Sequence, residues 1–123
     1  MPFIGSLTSN GEEVIGSSTA SQEWYQLTIP AGAANSTQPL RVENLSRVSV
    51  MIRTSVGGVG CFAVLQGRVS NVFYDMQTVN LAAAGSTVNL EQHIALKDVR
   101  VSIVNPQGGF TVVDMLIMAT GTS

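Results

Sequence analysis

Residues 110–119 are apolar on both sides when read as a β-strand. Phe110, Val112, Leu116 and Met118 fall on one side, and Val113, Met115, Ile117 and Ala119 on the other. Only Thr111 and Asp114 interrupt. A strand in a two-layer sandwich needs one apolar face, because its other face meets water. A strand with two needs a second cover, and the simplest cover is another copy of the chain or a larger assembly. This feature points to a structural, assembly-forming protein rather than an enzyme. Of the two faces, Val113, Met115 and Ile117 are assigned to the oligomer interface, because Phe110 and Leu116 suit a sandwich core.

The chain has 123 residues, enough for one domain with a core of its own. Charged residues make up 11%, against about 25% in typical soluble proteins. Polarity comes instead from 37 Ser, Thr, Asn and Gln residues. Such a surface repels its own kind weakly and suits a protein that packs against copies or neighbours. The six basic residues, Arg41, Arg47, Arg53, Arg68, Lys97 and Arg100, form no run, and the net charge is −2. Direct nucleic-acid binding, which needs a concentrated basic footprint, is not expected. No apolar run approaches the ~20 residues of a membrane helix, and residues 1–10 lack the basic start and apolar centre of a signal peptide. The expectation is synthesis in a cytoplasm, with no membrane partner.

From residue 23 onward the pattern has period two between turn signals, as in an all-β sandwich. Tyr25, Leu27 and Ile29 alternate with polar residues until Pro30; Val48, Val50 and Ile52 alternate with Ser49, Met51 and Arg53; Val99, Val101 and Ile103 alternate with Arg100 and Ser102. Residues 61–68 and 72–77 form a hairpin about Ser70-Asn71, since Asn tolerates the positive φ of tight turns. Residues 40–44 and 87–92 are further short strands, and only 79–84 has room for a turn of helix. About eight strands fit an antiparallel, jelly-roll-like β-sandwich. Residues 1–20 read as an extended N-terminal arm, 21–119 as the sandwich and 120–123 as a C-terminal tail. The arm is rich in Gly and Ser yet carries the sparse anchors Phe3, Ile4, Leu7, Val14 and Ile15, which suit docking on a neighbouring subunit.

Catalytic and metal chemistry find no support. His93 is the only histidine and Cys61 the only cysteine, too few for a nucleophile–His–carboxylate set in a recognisable context or for a zinc site. Asp75 and Asp98 lack the spacing of a calcium loop, and Glu12-Glu13 reads as a solvated pair. Cys61 lies in an apolar run and reads as a small buried hydrophobe. The expectation is no enzyme, no cofactor and no metal. Trp24, Tyr25, Phe73 and Tyr74 are the aromatics available for a sugar-stacking platform, though packing is their commoner use.

Two segments carry a resemblance. Leu65-Gln66-Gly67 leads through a short turn to an aromatic at Tyr74, and Asp98-Val99-Arg100-Val101-Ser102-Ile103 precedes a Gly-rich turn into the final apolar strand. The region 47–119 resembles the small β-sandwich modules of tailed-phage head and tail proteins, particularly capsid decoration (cement) proteins. It departs from them at Arg68, at Ser70-Asn71 in place of Asp-Gly, and in lacking an aromatic before Val99-Arg100. The resemblance implies a virion protein on the capsid surface. It would bind the major capsid protein as a homotrimer and clamp neighbouring subunits. The alternatives are a phage tail or fibre component, or a carbohydrate-binding β-sandwich module.

Overall fold

The computed structural model describes residues 11–15, 19–43, 45–94 and 96–121. Ten strands are present among them: β1 (Gly11–Ile15), β2 (Thr19–Ile29), β3 (Ala34–Ser36), β4 (Leu40–Arg41), β5 (Arg47–Val56), β6 (Phe62–Val69), β7 (Val72–Asn80), β8 (Thr87–His93), β9 (Asp98–Val104) and β10 (Thr111–Thr120). All pairings are antiparallel. One sheet, here the first sheet, has the order β1-β2-β10-β5-β8. The second has β3-β9-β6-β7, with β4 also on β9. With β3 and β4 taken as two halves of one strand beside β9, and β1 as an added edge, eight strands form two four-stranded layers. Most successive strands alternate between the layers, and β2 and β10 lie side by side. That is the jelly-roll order.

Inward-facing residues of both sheets form one core. Val48, Val50 and Ile52 of β5 face Leu65 of β6 and Val99, Val101 and Ile103 of β9, all fully buried. Each such side chain contributes about 1.5–3 kcal/mol on burial. Period two persists where the sheet is regular and breaks where it is not. Trp24 and Ile29 are both buried although five residues apart, which unbroken alternation forbids. A bulge reconciles them: Val113 and Met115 on β10 lie opposite Leu27 and Trp24 on β2, and Gln26 takes a φ of +53°.

The structure corrects two sequence expectations. Val113, Met115 and Ile117 belong to the core and not to an exterior face; Met115 is 3% exposed. The reason is register. Met115 lies between Trp24 and Ile52, and Ile117 between Gln22 and Val50, all pointing inward. Phe110, which weighed in the choice of faces, precedes β10 in an exposed loop. The second correction concerns the arm. Gly11–Ile15 is an edge strand on β2, with Gly11 opposite Trp24 and Ile15 opposite Ala20, and β2 begins at Thr19. The boundary at residue 20 therefore falls inside the sheet. Pairing with β1 satisfies backbone groups along an edge of β2 that would otherwise be open.

The β6–β7 hairpin turns through Ser70 and Asn71, both with positive φ (+50° and +70°), as a two-residue primed turn requires. The loops after β2, β5, β7 and β9 gather at the opposite end of the molecule around Asn105, which is fully buried. Its amide donates to the carbonyls of Ile29 (3.1 Å), Pro30 (3.3 Å) and Gly109 (2.8 Å). Its Oδ1 accepts from the Gln107 N–H (3.0 Å) and from Cys61 Sγ (3.2 Å). Gly58, in the same loop as Cys61, has φ +97°, and a Cβ there would stand 2.3 Å from the Ala82 carbonyl oxygen. Only glycine fits.

Candidate binding surfaces

The outer face of the first sheet is apolar at its centre. On β10 the outward residues are Val112, Asp114, Leu116, Met118 and Thr120, between the buried set already described. Cross-strand register places Leu116 between Glu23 of β2 and Met51 of β5, and Met118 between Ser21 and Ser49. The bulge at Gln26 turns Tyr25 outward, 62% exposed, with its hydroxyl hydrogen-bonded to the Glu23 carboxylate. Met51 and Met118 are also exposed; Met118 is 42% open. Tyr25, Met51 and Leu116 line a shallow pocket of about 150 Å³ together with Glu23, Arg53 and Asp114. Outward residues of a solvated sheet are normally polar, whereas here β2, β10 and β5 together carry an apolar strip.

Arg47 on β5 and Glu91 on β8 are joined by a hydrogen-bonded ion pair. That hydrogen bond, reinforced by the charge of Arg47, holds the Glu91 carboxyl below its ordinary pKa.

The outer face of the second sheet carries a polar lattice built from the motif residues. Arg100 Nε donates to Gln66 Oε1 (2.8 Å), and Gln66 Nε2 donates to Asp75 Oδ1 (2.8 Å). Arg68 Nε donates to Asp98 Oδ2 (3.1 Å). Both guanidinium groups lie over Phe73, at 3.9 Å for Arg100 and 5.5 Å for Arg68. Leu65 points into the core, while Gly67 is close-packed against Leu96 and Met76. The aromatic in this lattice is Phe73 rather than Tyr74. The arginines are dispersed in sequence, and the direct pairing of Arg68 with Phe73 across the hairpin is the signal that brings one of them to the aromatic.

The remaining sequence candidates do not converge. Phe3, Ile4 and Leu7 lie outside the described residues. Val14 and Ile15 are in β1, opposite Ser21 and Ala20. Trp24 is buried in the core, whereas Tyr25 is exposed on the first sheet and Phe73 sits under Arg100 on the second. No aromatic row joins them. Cys61 is buried beside Asn105 and Thr111, and His93 ends β8 at the other end of the sandwich. Asp75 and Asp98 are each engaged with neighbours in the lattice.

No protein-family model matches the chain, and no curated protein matches its sequence. Solved structures share its fold. The PBSX exported protein XepA aligns over 97% of this chain and 40% of its own, at 16% identity and TM-score 0.64. Tripeptidyl peptidase 2 aligns over 89% of this chain and 10% of its own, at 10% identity and TM-score 0.66. A carbohydrate-binding module from Cellvibrio mixtus lichenase 5A aligns over 96% of this chain and 92% of its own, at 15% identity and TM-score 0.50. The chain thus spans well under half of the first two proteins and nearly all of the third. The likeness is one of fold.

Proposed function

We propose that this chain is a non-catalytic structural module of a phage virion, seated on the outer surface of the capsid. There it self-associates as a homotrimer and clamps neighbouring major capsid subunits. The observation that carries this reading is the apolar strip of Tyr25, Met51, Leu116 and Met118 on the outer face of the central strands. Such a strip is stable in water when another protein surface covers it. The low charge content supports close packing of copies, and the motif residues on β6 and β9 support the resemblance to decoration modules. The mechanism is linkage: a protein that binds only the assembled shell stabilises it by RT ln(1 + [L]/Kd), and three joined copies add avidity.

The test uses shells from a phage deleted for the gene encoding this chain. Purified chain added back should co-sediment with the shells and raise the temperature at which they release DNA. Absence of co-sedimentation at micromolar chain would contradict the reading. A second reading, carbohydrate binding, draws on Tyr25 beside the 150 Å³ pocket. Trp24 in the core and Phe73 on the other sheet weigh against it, since one aromatic makes a weak stacking platform. Glycan-array binding that is lost in Tyr25→Ala would favour it.

A further inference from the structure

The six basic and eight acidic residues of this chain leave four long stretches empty: 24–40, 54–67, 76–90 and 101–113 contain no charged residue. These stretches are far apart in sequence, and the fold brings their middles together. Each is centred on a loop at the Asn105 end: the loops following β2, β5, β7 and β9. Pairing of Val56 with Val112, Phe62 with Asn80 and Val104, and Thr111 with Ile29 puts all four at one end. The other end carries the pairs Arg41–Glu43, Arg47–Glu91 and Arg68–Asp98. The sandwich is therefore polarised along its strands, with a charged end and a charge-free end.

The charge-free end is also apolar, open and preorganised. Val59, 70% exposed, and Phe110, 56% exposed, line a cleft of about 220 Å³ together with Gly57, Gly58, Gln107, Gly109 and Thr111. Its loops are tied to one another by Asn105, by the Gly58 N–H donating to Thr111 Oγ1 (3.2 Å) and by the Gly85 N–H donating to the Thr54 carbonyl (2.7 Å). Loops held in this way lose little entropy when a partner arrives.

We infer that the molecule stands on its partner by this end, and that the partner presents an uncharged, apolar protein surface with a side chain that enters the Val59–Phe110 cleft. A charged partner surface would lose its hydration against this end without gaining an ion pair. On the self-association proposed above, with Leu116 and Met118 at the copy–copy contact and the axis parallel to the strands, every charge-free end falls on the same side of the oligomer, so the occupant is a partner protein rather than a second copy. That common base seats several ends at once and turns the ion-paired ends to solvent. The partner is taken to be the shell, which rests on the reading given under Proposed function.

The test compares full-length wild type with Val59→Lys, Phe110→Lys and Val72→Lys. Val72 is an exposed valine beside the hairpin turn at the charged end, and so is a matched control. Binding is measured by co-sedimentation with shells from the gene-deleted phage, and thermal unfolding of each variant checks folding. Val59→Lys and Phe110→Lys should weaken binding at least tenfold, while Val72→Lys stays within twofold of wild type. Wild-type affinity in both loop-end variants, or equal loss in Val72→Lys, overturns the inference while leaving the shell reading intact. Wild type that does not bind shells contradicts the shell reading itself and this inference with it. Two further measurements identify other occupants. Dissociation of a wild-type oligomer by Val59→Lys in sedimentation velocity would make the end a copy–copy contact. Flotation of wild type with phosphatidylcholine vesicles, abolished by Val59→Lys, would make it a lipid contact. Either result overturns the inference.

Discussion

Asp114 on β10 accepts a hydrogen bond from the backbone N–H of Gln26 on β2, at 2.8 Å. This contact spans 88 residues of sequence and closes the bulge that lets Trp24 and Ile29 both face the core while Tyr25 faces out. The left-handed backbone of Gln26 costs about 1–2 kcal/mol in a non-glycine residue, and the Asp114 carboxylate offsets it. Asp114→Ala should lower stability by about 1–2 kcal/mol, as expected for a charge-assisted hydrogen bond near the surface. Asp114→Asn, which keeps an acceptor, should lose less than half of that. Urea unfolding of the two variants decides, and equal stability of wild type and Asp114→Ala would show the bulge to be held by packing alone.

The two faces of β10 separate folding from association. Met115→Lys buries an ammonium among Trp24 and Ile52 and should destabilise the fold by several kcal/mol, about 3 or more. Met118→Lys places the charge on the exposed face and should leave the melting temperature within a few degrees. It should also dissociate the proposed trimer in analytical ultracentrifugation. The reverse pattern, a folded Met115→Lys monomer and an unfolded Met118→Lys, would return the interface to Val113, Met115 and Ile117.

Asn105 joins three loops, those after β2, β5 and β9, through one buried side chain. Asn105→Ala strands carbonyls of Ile29 and Gly109 and the N–H of Gln107. Each group left without a partner costs about 1–3 kcal/mol where water does not reach it. The expected loss is about 3 kcal/mol, read as a shift of the urea midpoint with little change in slope. Hydrogen exchange should quicken in those three loops before it does in β9. Uniform quickening would mean that Asn105 supports the whole sandwich and not that end in particular.

The Arg47–Glu91 pair makes a small acid-sensitive contribution. Glu91 is held below its ordinary pKa in the folded chain by the hydrogen bond and charge of Arg47. A depressed carboxyl contributes stability above its unfolded pKa and loses it as pH falls through the folded value. Arg47→Ala should move the Glu91 titration upward, as followed by carboxyl carbon NMR, and remove that part of the acid dependence. The pair is solvent-exposed, so neutral-pH stability should hardly change. An unmoved titration would place the cause elsewhere than Arg47.

Much of the fold was legible because its signals are local. Alternation in β5 and β9, and Ser70-Asn71 between two strand patterns, identify strands and a turn from neighbouring residues alone. Eight of the ten strands and the jelly-roll class follow from such signals. The inward face of β10 was not legible, because apolar residues occupy both sides and only pairing with Trp24, Ile52 and Val50 chooses between them. The bulge at Gln26 depends on Asp114, far along the chain. The strand Gly11–Ile15 carries two glutamates and one glycine, a composition that local propensity reads as loop. The candidate surfaces divide in the same way. Gln66 and Arg100 were visible as motif residues, but their meeting, and the clustering of four charge-free loops, are products of topology.

The central claim, that this jelly roll is a virion module standing on a capsid, is tested most directly by cryo-electron microscopy of particles from the phage that encodes it. The account predicts density for threefold groups of this sandwich on the outer surface of the shell, with Val59 and Phe110 toward the shell and the Arg47–Glu91 end toward solvent. Density for the sandwich confined to the tail or fibres, or particles that lack it entirely, would contradict the account.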